Sequence, residues 1–115
     1  MRIILYNCTM KTIEDIENII KENMAVMLYF SAPTCNVCHA LKPKLLDAIE
    51  KNFKEFEILS IDVSVEQDIA AHYSVFAIPT VLIFLDGREF VRKSRHMSID
   101  EVIAEIKRPY EIMTS

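Results

Sequence analysis

A single glycine, no tryptophan and three cysteines are spread over 115 residues. An ordinary chain carries about 7% glycine, so Gly87 alone leaves little room for positive-φ turns and none for a glycine loop that cradles phosphate. Three cysteines, an odd number, do not make the disulfide framework of a small secreted scaffold. Nor is one needed, because a chain of this length buries roughly two-thirds of its unfolded surface in one domain. Basic residues are the minority, 13 against 17 acidic for a net charge of −4. With no lysine or arginine block, the field repels phosphate backbones and argues against nucleic acid as a partner. Long apolar runs are also missing. The longest uncharged stretch, Asn23 to Ala40 with one histidine, is broken by Ser31, Pro33, Thr34 and Asn36, so no membrane span is expected. Arg2 precedes only Ile3, Ile4, Leu5 and Tyr6 before Asn7, too short for the core of a secretion signal. A cytoplasmic, reducing location is the expectation.

What is present is a 51% hydrophobic chain whose apolar period alternates between strand and helix. Ile3–Tyr6 reads as a short first strand. Thr12-Ile13-Glu14-Asp15 starts a helix with an acidic first turn, and Ile13, Ile16, Ile19 and Ile20 form its inner face. Ala25 to Phe30 is a near-continuous apolar run, as in a central strand buried on both sides. A second helix carries Cys38, Leu41, Leu45, Ala48, Ile49 and Phe53 inward, contains Pro43, and leaves Lys42, Lys44, Asp47, Glu50 and Lys51 to solvent. Phe56 to Val63 is a third strand and Glu66 to Tyr73 a short helix. Asp86-Gly87, between Thr80–Leu85 and Glu89–Lys93, is a strong hairpin signal. Ser98-Ile99-Asp100-Glu101 opens a last helix as a capping box, and Pro109 is expected to stop it. One domain over residues 1–115 follows, with a core from about 12 to 106 and a tail from 109 to 115. The order βαβαβαββα predicts an α/β fold: a mixed central sheet with parallel central strands, an edge hairpin and helices on both faces. Sites in such sheets form beyond the carboxyl ends of the parallel strands, where Ser31 to Cys38 lie.

Cys35 and Cys38 have the C-x-x-C spacing of redox or metal chemistry. A structural zinc needs about four ligands, and Cys35, Cys38 and His39 supply at most three, so no metal is expected. At a helix start, free N–H groups and the helix dipole favour negative charge, which stabilises a Cys35 thiolate as a nucleophile. Cys38 lies nearly one turn on, close enough to close a disulfide.

The strand Val26-Met27-Leu28-Tyr29-Phe30, the turn Ser31-Ala32-Pro33-Thr34, the pair Cys35-Asn36-Val37-Cys38, the helix proline Pro43 and Ile78-Pro79-Thr80 before a hairpin together resemble the thioredoxin family. The resemblance spans about Thr12 to Ile106. It implies a thioredoxin fold and a thiol-disulfide oxidoreductase that reduces protein disulfides, with Cys35 attacking and Cys38 resolving the mixed disulfide. It implies no bound cofactor, protein disulfides as substrates, and a recycling reductase of the thioredoxin-reductase kind. It also implies substrate contacts at Thr34, Ile78 and Pro79, and a cis Ile78-Pro79 bond where sequence alone favours trans.

The chain departs from the family pattern at several points. Thr34 stands where tryptophan is common, and Asn36-Val37 where Gly-Pro is common. Tyr29 stands where many members carry a buried aspartate, and a frequent loop glycine is replaced near Arg95-His96. Tyr29, Asn36, Val37 and His39 are therefore candidates for tuning the pair, although Tyr29 reads most simply as core and His39 as a solvent-facing helix residue. Cys8 reads as a packed small hydrophobe, His72 and His96 as surface residues, and the six methionines as filler. Two alternatives stay open: a non-catalytic thioredoxin-fold binding or redox-sensing module, and an oxidase or isomerase sharing the chemistry in another direction.

Overall fold

Helix formation begins where the sequence supplies a cap. In the computed structural model, which describes residues 2–7 and 12–114 and side chains from residue 12 onward, Thr12 Oγ1 accepts the Asp15 N–H at 3.1 Å and Asp15 Oδ2 accepts the Thr12 N–H at 3.2 Å. This reciprocal box opens α1, Ile13–Glu22, and presents Ile16 and Ile20 to the interior. Cys8, expected to pack as a small hydrophobe, lies outside the described residues.

The strands are β1 (Arg2–Asn7), β2 (Ala25–Ser31), β3 (Glu55–Asp62), β4 (Thr80–Leu85) and β5 (Arg88–Ser94); the remaining helices are α2 (Asn36–Asn52), α3 (Gln67–His72) and α4 (Ile99–Thr114). They form one five-stranded sheet in the order β1-β3-β2-β4-β5. β1, β3 and β2 run parallel, while β4 is antiparallel to both β2 and β5. Asp86 and Gly87 take φ of 53° and 80° at the hairpin, the two positive values that a type I′ turn needs, so the glycine sits where the backbone requires it.

Period-two alternation along β2 divides the interior in two. Met27 and Tyr29, with Val81 and Ile83 of β4, face Leu45 and Ile49 of α2 and Val102 and Ile106 of α4. Val26, Leu28 and Phe30, with Leu82 and Phe84, face Ile16 and Ile20 of α1 and Ile69 of α3. The predicted mixed sheet with helices on both faces is what forms.

The C-terminus departs from expectation. Pro109 does not stop α4, which continues to Thr114, so residues 109–114 are helix rather than tail and the core extends past 106. Proline inside a helix removes a hydrogen bond and costs about 3 kcal/mol. Tyr110 offsets that cost. Its ring is buried edge-on to Phe53 at 4.9 Å and stacked with Phe56 at 6.3 Å, and its hydroxyl accepts the N–H groups of Lys54 and Glu55, each at 3.1 Å. At the other end of α4, Ser98 Oγ accepts the Glu101 N–H at 3.3 Å. The Glu101 carboxylate, however, pairs with Lys93 of β5 at 2.8 Å, joining strand to helix.

Candidate active site

β2 ends in the turn Ser31–Thr34, where the Cys35 N–H donates to the Ala32 carbonyl at 3.0 Å. Cys35 is thereby placed as the N-cap of α2, and its Sγ accepts the Cys38 N–H at 3.1 Å. The two cysteines form a disulfide with Cα atoms 5.3 Å apart. Their surroundings differ: Cys35 is half-buried at the rim, whereas Cys38 is 1% exposed. The sulfur that reaches the surface is thus the one that receives a backbone N–H at the positive end of a helix dipole.

Two side chains hold this turn and the start of α2. Tyr29 is fully buried beneath it, and its hydroxyl donates to the Cys38 carbonyl at 2.7 Å. Burial pushes the Tyr29 phenol up to about 12, so near neutrality it is protonated and holds the Cys38 carbonyl as a donor. His39 is exposed, and its Nε2 donates to the Pro33 carbonyl at 2.9 Å, closing the turn from outside. Pro43 lies within α2, as its sequence position implied.

On the outer side of Cys35 a groove of about 590 Å³ is lined by residues that include Val37, Ile78, Pro79, Arg95 and His96. The Ile78-Pro79 peptide is cis. Thr80 Oγ1 donates to the Ala77 carbonyl at 2.6 Å and shares a hydrogen bond with Ser94 Oγ at 2.9 Å, while the Arg95 N–H donates to the Pro79 carbonyl at 2.7 Å. These bonds fix the Ile78-Pro79 wall. Asn36 also lines the groove, whereas Thr34 is exposed on the turn outside that lining. Of the residues singled out in the sequence, Cys35, Asn36, Val37, Ile78 and Pro79 meet in this groove, and Tyr29 and His39 lie behind it.

Sequence reasoning missed what lies behind Cys38. A second cavity of about 520 Å³ is lined by Tyr29, Cys38, Lys42, Ser60, Asp62 and Glu66, among others. Lys42, assigned to the solvated face of α2, is half-buried, and its Nζ donates to Ser60 Oγ at 2.9 Å. A long apolar stem lets a lysine cross from helix to sheet while its head stays hydrogen-bonded. Glu66 is only 9% exposed, and its Oε1 has no hydrogen-bond partner among the described residues. Helical spacing, the signal used for Lys42, ranks faces by hydropathy and carries no information about a polar group across the gap.

A family model described as Thioredoxin matches residues 8–108. The chain belongs to the thioredoxin family. It is 34% identical over 97 residues to the Thioredoxin-like protein YdfQ of Bacillus subtilis, covering 84% of this chain and 86% of that protein. It is 33% identical over 81 residues to the Thioredoxin of the same organism, covering 70% of this chain and 77% of that one. Some relatives are longer: the chain spans 47% of the Thioredoxin-2 of Pyricularia oryzae and 16% of the mouse Protein disulfide-isomerase A5. Among solved structures, thioredoxin 1 of Thermosipho africanus superposes with a TM-score of 0.70 at 34% identity, covering 78% of this chain and 99% of that one. A mutant thioredoxin from Halobacterium salinarum superposes with a TM-score of 0.75 over 95% and 90% of the two chains, but at 20% identity it speaks for the fold alone. This thioredoxin-family chain is a thiol-disulfide oxidoreductase with a redox-active Cys35-Cys38 centre.

Proposed function

We propose that the protein reduces disulfides in other proteins, with Cys35 as the attacking and Cys38 as the resolving thiol, and that a separate reductase of the thioredoxin-reductase kind recycles it. The observation that carries this reading is the asymmetry of the pair: Cys35 at the groove and at the helix N-terminus, Cys38 buried one turn behind it. The Cys35 thiolate attacks one sulfur of the substrate disulfide, the first substrate thiolate leaves and takes a proton, and a mixed disulfide remains. Cys38, once deprotonated, attacks Cys35 Sγ and releases the second substrate thiolate, so two electrons and two protons pass to the substrate and the chain ends as the disulfide form. Ile78, Pro79 and Thr34 are the residues proposed to meet the substrate segment. The reducing direction suits a cytoplasmic location; no helix among the described residues is long and apolar enough to cross a membrane.

Insulin reduction driven by dithiothreitol tests the reading. Cys35→Ser should abolish the acceleration over the reagent alone, and Cys38→Ser should accumulate a mixed disulfide on Cys35 that mass spectrometry detects. Activity that survived Cys35→Ser would overturn the assignment. Partner binding indifferent to both substitutions, with no trapped species, would instead favour the binding module.

A further inference from the structure

The charge at the groove contradicts the charge of the chain. The protein carries a net −4, yet no carboxylate is found among the residues lining the groove beside Cys35, whose ionisable side chains other than the cysteine are Arg95 and His96. Along β5 and the loop after it, three cations follow one another closely, and two are already matched. Arg92 makes a two-pronged contact with Glu89, both bonds at 2.9 Å, and a further bond to the Tyr73 carbonyl. Lys93 sits between Glu101 at 2.8 Å and Glu105 at 2.7 Å. Arg95 has no side-chain hydrogen bond or ion pair among the described residues and is exposed.

The backbone holds Arg95 in place against its own preference. Its φ is 61°, in the left-handed region that costs a non-glycine residue free energy unless its surroundings enforce it. Enforcement comes from the bond between its N–H and the Pro79 carbonyl and from the Thr80-Ser94 hydroxyl pair one residue earlier. The backbone that carries this unmatched guanidinium is therefore fixed at the wall where a substrate segment is proposed to lie. Apolar surface accompanies it: Val37 in the groove is 60% exposed, and Phe76 is 87% exposed in an adjoining hollow that shares Ala77 and Ile78 with the groove.

We propose that the groove selects extended cysteine-bearing segments with an acidic side chain beside the cysteine, the substrate carboxylate being received by the Arg95 guanidinium and an apolar neighbour by the Phe76-Ile78 surface. The inference rests on the disulfide-reductase reading and names its substrate class. Arginine suits the task because its planar fork meets a carboxylate through two hydrogen bonds. An exposed pair of this kind contributes about a fivefold preference at most, and it weakens with salt.

Three disulfide-linked peptides of one sequence, with Glu, Gln or Lys beside the cysteine, test it in single-turnover reactions with the reduced protein. The expected order of rate constants is Glu, Gln, Lys, with about fivefold between the ends at low salt. Sodium chloride at roughly 0.5 M should compress the series, since the screening length there is only a few ångströms. Arg95→Glu should invert the order. Equal rates for the three peptides, a preference indifferent to salt, or an order that survives Arg95→Glu would each overturn the inference alone. Reduction of none of the three would overturn the reductase reading and this inference with it. The salt series on the unaltered protein keeps the proposal testable even if the variant folds poorly.

Discussion

Tyr29 and Tyr73 both withdraw a phenol from water, and only one of them finds a partner. Tyr29 donates to the Cys38 carbonyl, whereas the Tyr73 hydroxyl is buried without a hydrogen-bond partner among the described residues. Burial, aided at Tyr73 by the Glu17 charge, pushes both phenols up to about 12 from the ordinary 10.0. A raised pKa means the folded chain keeps a proton that the unfolded chain gives up. The associated stability is complete below pH 10 and is lost as pH rises from about 10 to about 12. Urea unfolding should therefore show stability falling across that window, with the fall shallower in Tyr29→Phe and in Tyr73→Phe. At pH 7 the two variants should part: Tyr29→Phe leaves the Cys38 carbonyl short of a donor and costs about 1 kcal/mol, while Tyr73→Phe removes an unmet hydroxyl and costs nothing or stabilises. The opposite ranking at pH 7 would contradict this account of both hydroxyls.

At the scale of the element, α4 is where local and long-range terms compete most openly. Pro109 argues for termination, and any reading restricted to neighbouring residues ends the helix there. The terms that extend it come from Phe53, Lys54, Glu55 and Phe56, a segment remote in sequence whose rings and N–H groups converge on Tyr110. Tyr110→Ala should accordingly cost about 3 to 5 kcal/mol, the range for emptying a buried aromatic site, and should remove helicity after Pro109. Pro109→Ala should stabilise by roughly 2 kcal/mol, because the restored N–H outweighs the entropy that proline removes from the unfolded chain. Circular dichroism with urea titration measures both. Unchanged helix content in Tyr110→Ala would mean that the last turn stands without its anchor. Elements whose stabilising terms are local, such as the Thr12 box and the Asp86-Gly87 turn, were legible from a few residues. The hidden position of Lys42 was not, because its partner Ser60 lies on another element.

For the whole molecule, alternation of apolar residues sufficed for the layers and the element order, since a sheet with two covered faces imposes a period that helices do not share. Strand neighbours are another matter: no local pattern says that β3 lies between β1 and β2, and that choice sets Cys38 against the cavity holding Ser60 and Asp62. The meeting of Cys35 with Ile78 and Pro79 is likewise a product of the sheet, available in the sequence only through family resemblance. The disulfide closes a loop of sequence separation 3. By the loop-entropy relation so short a closure contributes about 2 kcal/mol, against the roughly 5 to 15 kcal/mol of a typical domain. A thiol-disulfide oxidoreductase must hold the same fold in both redox states, since each turnover passes through the dithiol and the disulfide. Thermal unfolding with and without excess dithiothreitol should therefore give two cooperative transitions, the reduced one lower by roughly 10 °C. Noncooperative melting of the reduced protein, or loss of its near-ultraviolet dichroism at 25 °C, would show that the disulfide is structural and would count against a catalytic cycle that passes through the dithiol.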